Sequence, residues 1–198
     1  MEGTRALLAA TRPHLLISFG IAGAVRDDLH IGDVVVAEKC WLLNMGQLSE
    51  AWPLSSPSEE AWAAALQALQ LNGAQIVAGT AITTRGSQVS PHLVEGMPHP
   101  ILEMETAGIA QVAAERGIPL VSVRSISDGP QAPLPFDLEA VLDEDANPRI
   151  GEILRTVLRR PQTLLQFRRM MQNVRRASDY AARAVMAMLN QPSPLVAS

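Results

Sequence analysis

At 198 residues, with 47% hydrophobic and 18% charged residues, the chain is long and apolar enough to build one sizeable core, which excludes a disordered polymer. Its net charge of −4 and pI near 5.6 argue against nucleic acid as a bulk electrostatic partner. The single cysteine, Cys40, rules out an internal disulfide, no apolar run reaches bilayer-spanning length, and Met1–Ala10 lacks a signal-peptide core, so a cytoplasmic globular protein is expected.

Leu15-Leu16-Ile17-Ser18-Phe19 is an apolar run ending at Gly20, which predicts a buried strand. Gly20-Ile21-Ala22-Gly23-Ala24 predicts a small-residue turn where backbone can approach a ligand closely. Val34-Val35-Val36-Ala37 predicts a second buried strand, and the mixed, Pro- and Ser-bearing stretch Leu42–Pro57 a loop. Ser58 is a good N-cap for a helix over Glu59–Leu71, closed by Asn72-Gly73. Gln75–Thr80 predicts a third strand, and Gly86–Pro100 a proline-bearing loop before Ile101–Glu105. A helix is expected over Thr106–Arg116, stopped by Gly117 and Pro119, then a strand over Pro119–Ile126 that ends in Ser127-Asp128-Gly129-Pro130. A loop carrying Pro130, Pro133 and Pro135 leads to two or three tail helices. In the tail, Tyr180, Ala181, Ala184, Val185, Met188 and Leu189 form an amphipathic stripe.

Strands alternating with helices predict an α/β fold with a largely parallel sheet, in which ligands sit beyond the carboxyl ends of strands. Charge divides the chain. Arg149, Arg155, Arg159, Arg160, Arg168, Arg169, Arg175, Arg176 and Arg183 follow Asn147, against only Glu152 and Asp179. The expected organisation is an α/β domain over 1–147 and a basic helical tail over 148–198 packed on it.

Three segments occur in order: Ile17–Ala24 with Ile31–Val36, then Glu103-Met-Glu-Thr-Ala-Gly-Ile-Ala110, then Val123-Arg-Ser-Ile-Ser-Asp128. Together they resemble the nucleoside phosphorylase and nucleosidase superfamily, with methylthioadenosine/S-adenosylhomocysteine nucleosidases as the nearest well-known members. The resemblance covers roughly residues 12 to 140. It implies a phosphorylase/hydrolase-like three-layer α/β/α sandwich around a mostly parallel or mixed sheet, and cleavage of a purine nucleoside's glycosidic bond. It assigns Asp128 as the general acid that protonates the departing purine, with Ser127 and Arg124 in support. Glu105 matches the carboxylate that accepts hydrogen bonds from the ribose hydroxyls. Glu103 belongs to the same motif, Met104 packs on the ribose, and Ala22 and Gly23 let backbone approach sugar and base.

The chain departs from the family in three places. Met1–Thr11 resembles the helix leading into the Gly-Ile-Ala-Gly strand, so the usual first strands and an acidic residue that positions water have no counterpart. Ile21 stands where relatives carry Ser or Thr, which favours hydrolysis over phosphorolysis because no hydroxyl is offered to phosphate. Ile82 or Thr83 stands where nucleosidases place a base-stacking aromatic. The Ile-Ser-Phe-Gly-Ile-Ala-Gly segment and Leu158-Arg-Arg-Pro161 are also similar to the hopanoid-associated branch, which implies weak contact of the basic tail with a membrane surface. A solvated charged face is the competing reading of that tail. The resemblance implies a homo-oligomer, a purine nucleoside substrate with water or phosphate, and no organic cofactor. His14, His30, His92 and His99 lack ligand spacing, so no metal site is expected, and Cys40 reads as a core residue.

Overall fold

A computed structural model of the chain describes residues 2–70, 73–86, 89–132 and 162–196. The elements in order are α1 (Glu2–Ala10), β1 (Leu16–Ala24), β2 (Val34–Asn44), β3 (Gln47–Pro53) and α2 (Glu59–Gln70). They continue with β4 (Ile76–Thr83), a 3-10 turn (Pro91–Val94), β5 (Pro100–Glu103), α3 (Thr106–Glu115), β6 (Leu120–Asp128) and α4 (Gln162–Leu189).

The six strands form one sheet in the order β3-β2-β4-β5-β1-β6, and a further β2–β6 pairing closes five of them into a barrel-like loop. Parallel pairs (β1–β6, β2–β4, β4–β5) and antiparallel pairs (β1–β5, β2–β3, β2–β6) are equal in number, so the sheet is mixed rather than largely parallel. The antiparallel members arise where β5 runs against β1, where β3 folds back on β2, and where the barrel closes. A continuous apolar run is usual for parallel strands covered on both faces, but the buried β2 and β6 here pair in both directions, so burial alone does not give the direction of a neighbour.

Two stretches expected to be irregular are strand. Gly20–Ala24 continues β1 and pairs with β6, with a register shift between Ala22 and Gly23. Neither Gly20 nor Gly23 has a positive φ. Leu42–Pro57 holds the end of β2, a tight connection at Met45-Gly46 with positive φ at both, and β3. The Gly86–Pro100 stretch contains the 3-10 turn.

Val34 to Ala37 is buried on both faces, as its unbroken apolar run requires. Val35 and Ala37 join Ala22, Ile101 and Ile126 beneath Ala107, Ala110 and Ala113 of α3. Val34 and Val36 join Val121 and Val123 beneath Ala61, Ala65 and Leu69 of α2 and Tyr180, Ala184, Val185 and Met188 of α4. Helices therefore cover opposite faces of the sheet. Ser58 caps α2, its hydroxyl accepting from the Ala61 amide at 3.4 Å. The tail stripe packs as its spacing predicts except at Leu189, which is half exposed at the helix end.

No helix among the described residues is long and apolar enough to cross a membrane. Asn72, Pro133, Pro135, the boundary at residues 147–148, the four arginines from Arg149 to Arg160, and Leu158-Arg-Arg-Pro161 lie outside the described residues.

Candidate active site

β5 is four residues long, and its last residue, Glu103, points to the α3 side of the sheet, as Ile101 does. The residue is buried, 4% exposed, and its carboxylate is met from three directions. Thr83, ending β4, donates its hydroxyl to Oε1 and accepts the Ala107 amide at 2.8 Å. The Glu105 and Thr106 amides donate to Oε2 at 3.0 and 2.8 Å, and the Thr106 hydroxyl does so at 2.7 Å. From β6, Arg124 Nη2 completes the set at 3.1 Å. An anion that accepts the first amides of α3 offsets both the unpaired donors and the positive end of that helix.

Arg124 is 2% exposed. Its Nη2 also donates to Ser18 of β1 at 2.8 Å and to the Thr106 hydroxyl at 3.0 Å, while its Nε has no partner. Burial raises the Glu103 carboxyl, but the Arg124 charge and the hydrogen bonds from Thr83, Thr106 and the Glu105 amide outweigh it and leave it below the ordinary glutamate value. Glu103 therefore stays ionised, and its oxygens are occupied by protein donors.

Met104 and Glu105 follow in the turn before α3. Met104 is 38% exposed and the Glu105 side chain 66% exposed. Glu105 Oε2 lies 3.7 Å from Arg124 Nη2. Burial of its inner part and the Glu103 charge raise the Glu105 carboxyl, against the pull of Arg124. The two carboxylates thus share one guanidinium, with the closer contact going to the buried one.

Asp128 ends β6 opposite Gly23 of β1, whose other neighbour, across β5, is Leu102. With strands about 4.8 Å apart, Leu102 and Asp128 flank β1 roughly 10 Å from each other. The buried Ser127 hydroxyl bonds Asp128 Oδ1 at 2.6 Å and also reaches the Ala22 carbonyl at 3.4 Å. Burial pushes the Asp128 carboxyl above its ordinary value, only partly countered by Ser127. A Cβ on Gly23 would lie 2.7 Å from Asp128 Oδ2, so the carboxyl rests directly on the glycine.

Sequence reasoning passed over Ser18 and Thr106. Ser18 is the lone polar residue inside an apolar strand, and a buried hydroxyl needs a partner; that signal was available. Cys40 is fully buried and its thiol is pushed up to about 12 by burial, opposed by a hydrogen bond at the Trp52 backbone and aided by the Glu103 charge. It offers no thiolate. Among the described residues no group of three His, Cys, Asp or Glu side chains could hold a metal ion. A groove of about 710 Å³ lies between the β2–β3 connection and the chain leaving β4, lined by Leu43, Met45, Thr84, Arg85 and His92 among others. Neither Glu105 nor Asp128 lines it.

A mixed α/β sheet flanked by helices, with acidic residues where β5 and β6 end, defines the class, and the chain belongs to the phosphorylase superfamily, whose pattern matches residues 3–159. It is 29% identical over 140 residues to a 5'-methylthioadenosine/S-adenosylhomocysteine nucleosidase of Haemophilus ducreyi, covering 64% of this chain and 60% of that protein. A nucleosidase of the same name from Geobacillus kaustophilus is 32% identical over 142 residues, with 64% and 60% covered. The chain thus spans about 60% of the length of these curated relatives. Among solved structures, a Colwellia psychrerythraea nucleosidase of that type in complex with adenine superposes with a TM-score of 0.64 at 20% identity, covering all of this chain and 75% of the other. A Streptococcus pyogenes S-adenosylhomocysteine nucleosidase in complex with 5-methylthiotubericidin gives 0.61 at 20% identity, covering 98% and 74%. At that identity the likeness establishes the fold.

Proposed function

We propose that the chain is a purine nucleosidase that hydrolyses the N-glycosidic bond of an adenosine-type nucleoside and releases adenine. The observation that carries this reading is Asp128: a carboxyl at a strand end, raised by burial, braced by Ser127 and seated on Gly23. A carboxylic acid that keeps its proton nearer neutrality is what a departing purine ring nitrogen requires. In this reading the C–N bond electrons pass to the purine, which takes the Asp128 proton. Water bonds to the anomeric carbon and loses a proton, which restores the acid.

Glu105 accepts hydrogen bonds from the ribose 2′- and 3′-hydroxyls, and its side chain is exposed enough to meet a ligand. Met104 supplies an adaptable apolar surface to the sugar. Ala22 and Gly23 let backbone approach, and Ile82-Thr83 leaves the base without an aromatic partner at that position. Ile21 supports water over phosphate as co-substrate, since its side chain offers no donor to an anion. The reading carries a homo-oligomer by family resemblance and needs no cofactor. The relatives' names supply the substrate class, and the nucleosidases so named are the reason for choosing adenine.

Adenine release from adenosine and methylthioadenosine, with and without phosphate, tests the proposal. Release independent of phosphate and abolished in Asp128→Asn is the expected outcome. A strict phosphate requirement refutes hydrolysis and restores a phosphorylase. Tight adenine binding with no turnover, unchanged in Asp128→Asn, replaces the enzyme with a purine-binding protein.

A further inference from the structure

Glu103 is the residue of the acidic motif with no room for a ligand, and its arrangement exceeds what a helix cap or a core ion pair needs. Two backbone amides suffice to cap α3, and one guanidinium suffices to neutralise a buried carboxylate. Here one carboxylate takes five donors: the Thr83 hydroxyl, the Glu105 and Thr106 amides, the Thr106 hydroxyl and Arg124 Nη2. These come from β4, from the turn into α3 and from β6. Four of the five converge on Oε2 and the Thr83 hydroxyl takes Oε1, so both oxygens are engaged by protein.

We propose that Glu103 is the positioning residue of the site: it locks the turn carrying Met104 and Glu105 against Arg124 and thereby sets the direction of the Glu105 carboxylate. Two contacts make the link physical. The Glu105 amide is held at 3.0 Å by Glu103 Oε2, so the backbone of the residue is fixed by its neighbour but one. The same Arg124 nitrogen lies 3.1 Å from Glu103 and 3.7 Å from Glu105, so Glu103 draws the cation inward and leaves Glu105 free to face a ligand. Without that charge the guanidinium pairs with Glu105, the nearest remaining carboxylate, and turns it toward the protein. A carboxamide keeps an oxygen for the donors on Oε2 and can turn its NH₂ to the Thr83 hydroxyl, but it lacks the charge that draws Arg124 inward.

The inference rests on the proposed ribose role of Glu105 only for its binding arm; the titration arm stands without it. In Glu103→Gln the Glu105 carboxyl, followed by carboxyl ¹³C NMR across pH, titrates at lower pH than in the wild type. Among the described residues the charged groups facing it are Glu103 from β5 and Arg124 from β6, and the substitution removes the repulsive one. In calorimetry the same variant binds adenosine on the order of tenfold more weakly while its affinity for adenine stays unchanged. Thr83→Val, which keeps the charge but removes the Oε1 donor, weakens adenosine binding in the same selective way and serves if Glu103→Gln does not fold. An unmoved Glu105 titration with equal adenosine affinity in a folded variant overturns the proposal, as does a matched loss of adenosine and adenine binding. If the wild type binds neither compound, the functional reading fails and the Glu105 titration alone decides the positioning role.

Discussion

Gly23→Ala separates geometry from stability at this site. The added methyl carbon would meet Asp128 Oδ2 at 2.7 Å, and ordinary contact begins near 3.4 Å. The carboxyl must therefore retreat by about 0.7 Å, and displacements of about 1 Å at a reacting group cost on the order of 100-fold in rate. The obstructing atom is the end of a side chain that can rotate, so the fold itself loses no more than about 1 kcal/mol. Gly23 has no positive φ, so alanine adds no backbone strain. Gly20→Ala is the control: its Cβ would find only Arg124 Nη1, at 4.0 Å. There alanine lowers the entropy of the unfolded chain and adds about 0.4–1 kcal/mol of stability. Initial rates of adenine release together with thermal denaturation read both effects. The expected result is a rate loss of roughly 10- to 100-fold in Gly23→Ala with nearly unchanged Tm, while Gly20→Ala keeps the rate. Equal rates in both variants would refute the placement of Asp128 as the acid.

Two further outcomes follow from the same structure. Because the folded state holds the Asp128 proton more tightly than the unfolded chain, the wild type loses stability as pH rises from the ordinary value of 3.8 through the raised folded value, and stays lower above it. Asp128→Asn lacks that loss, so its Tm advantage opens across this window and is absent below it; an advantage that grows toward acid contradicts the burial account. Gly32 has φ +98, and a Cβ there would lie 2.8 Å from the Tyr180 ring and 3.2 Å from Arg176 Nε. Gly32→Ala therefore costs about 1–3 kcal/mol by urea denaturation, and an unchanged midpoint would show that α4 does not seat on this turn.

Burial was legible in the chain wherever apolar residues ran together. Val34–Ala37 reads as a strand covered on both sides and is one, Ser58 marks the start of α2, and the stripe from Tyr180 to Met188 names the face of α4 that packs. The acidic motif was legible as a motif, and its separation into two carboxyls of different standing was not. Glu103 and Glu105 are two residues apart in one segment, yet one is buried and ionised and the other exposed and raised. That difference is made by Thr83 and Arg124, 20 and 21 residues away in sequence and adjacent only through the sheet.

Glycine shows the same boundary. Gly20 and Gly23 read as a turn because glycine permits one, whereas in the fold they are strand. Gly23 is small because Asp128, 105 residues later, rests on it. The amino-acid sequence by itself determined which segments are buried, where α2 begins and which carboxylates stand in one motif, because periodicity and capping are local. The direction of β5, the β2–β6 closure, the seat of Asp128 and the sharing of Arg124 were decided only by tertiary structure. Hydrogen-bond partners and close contacts are set by which strands become neighbours, and no local pattern records that.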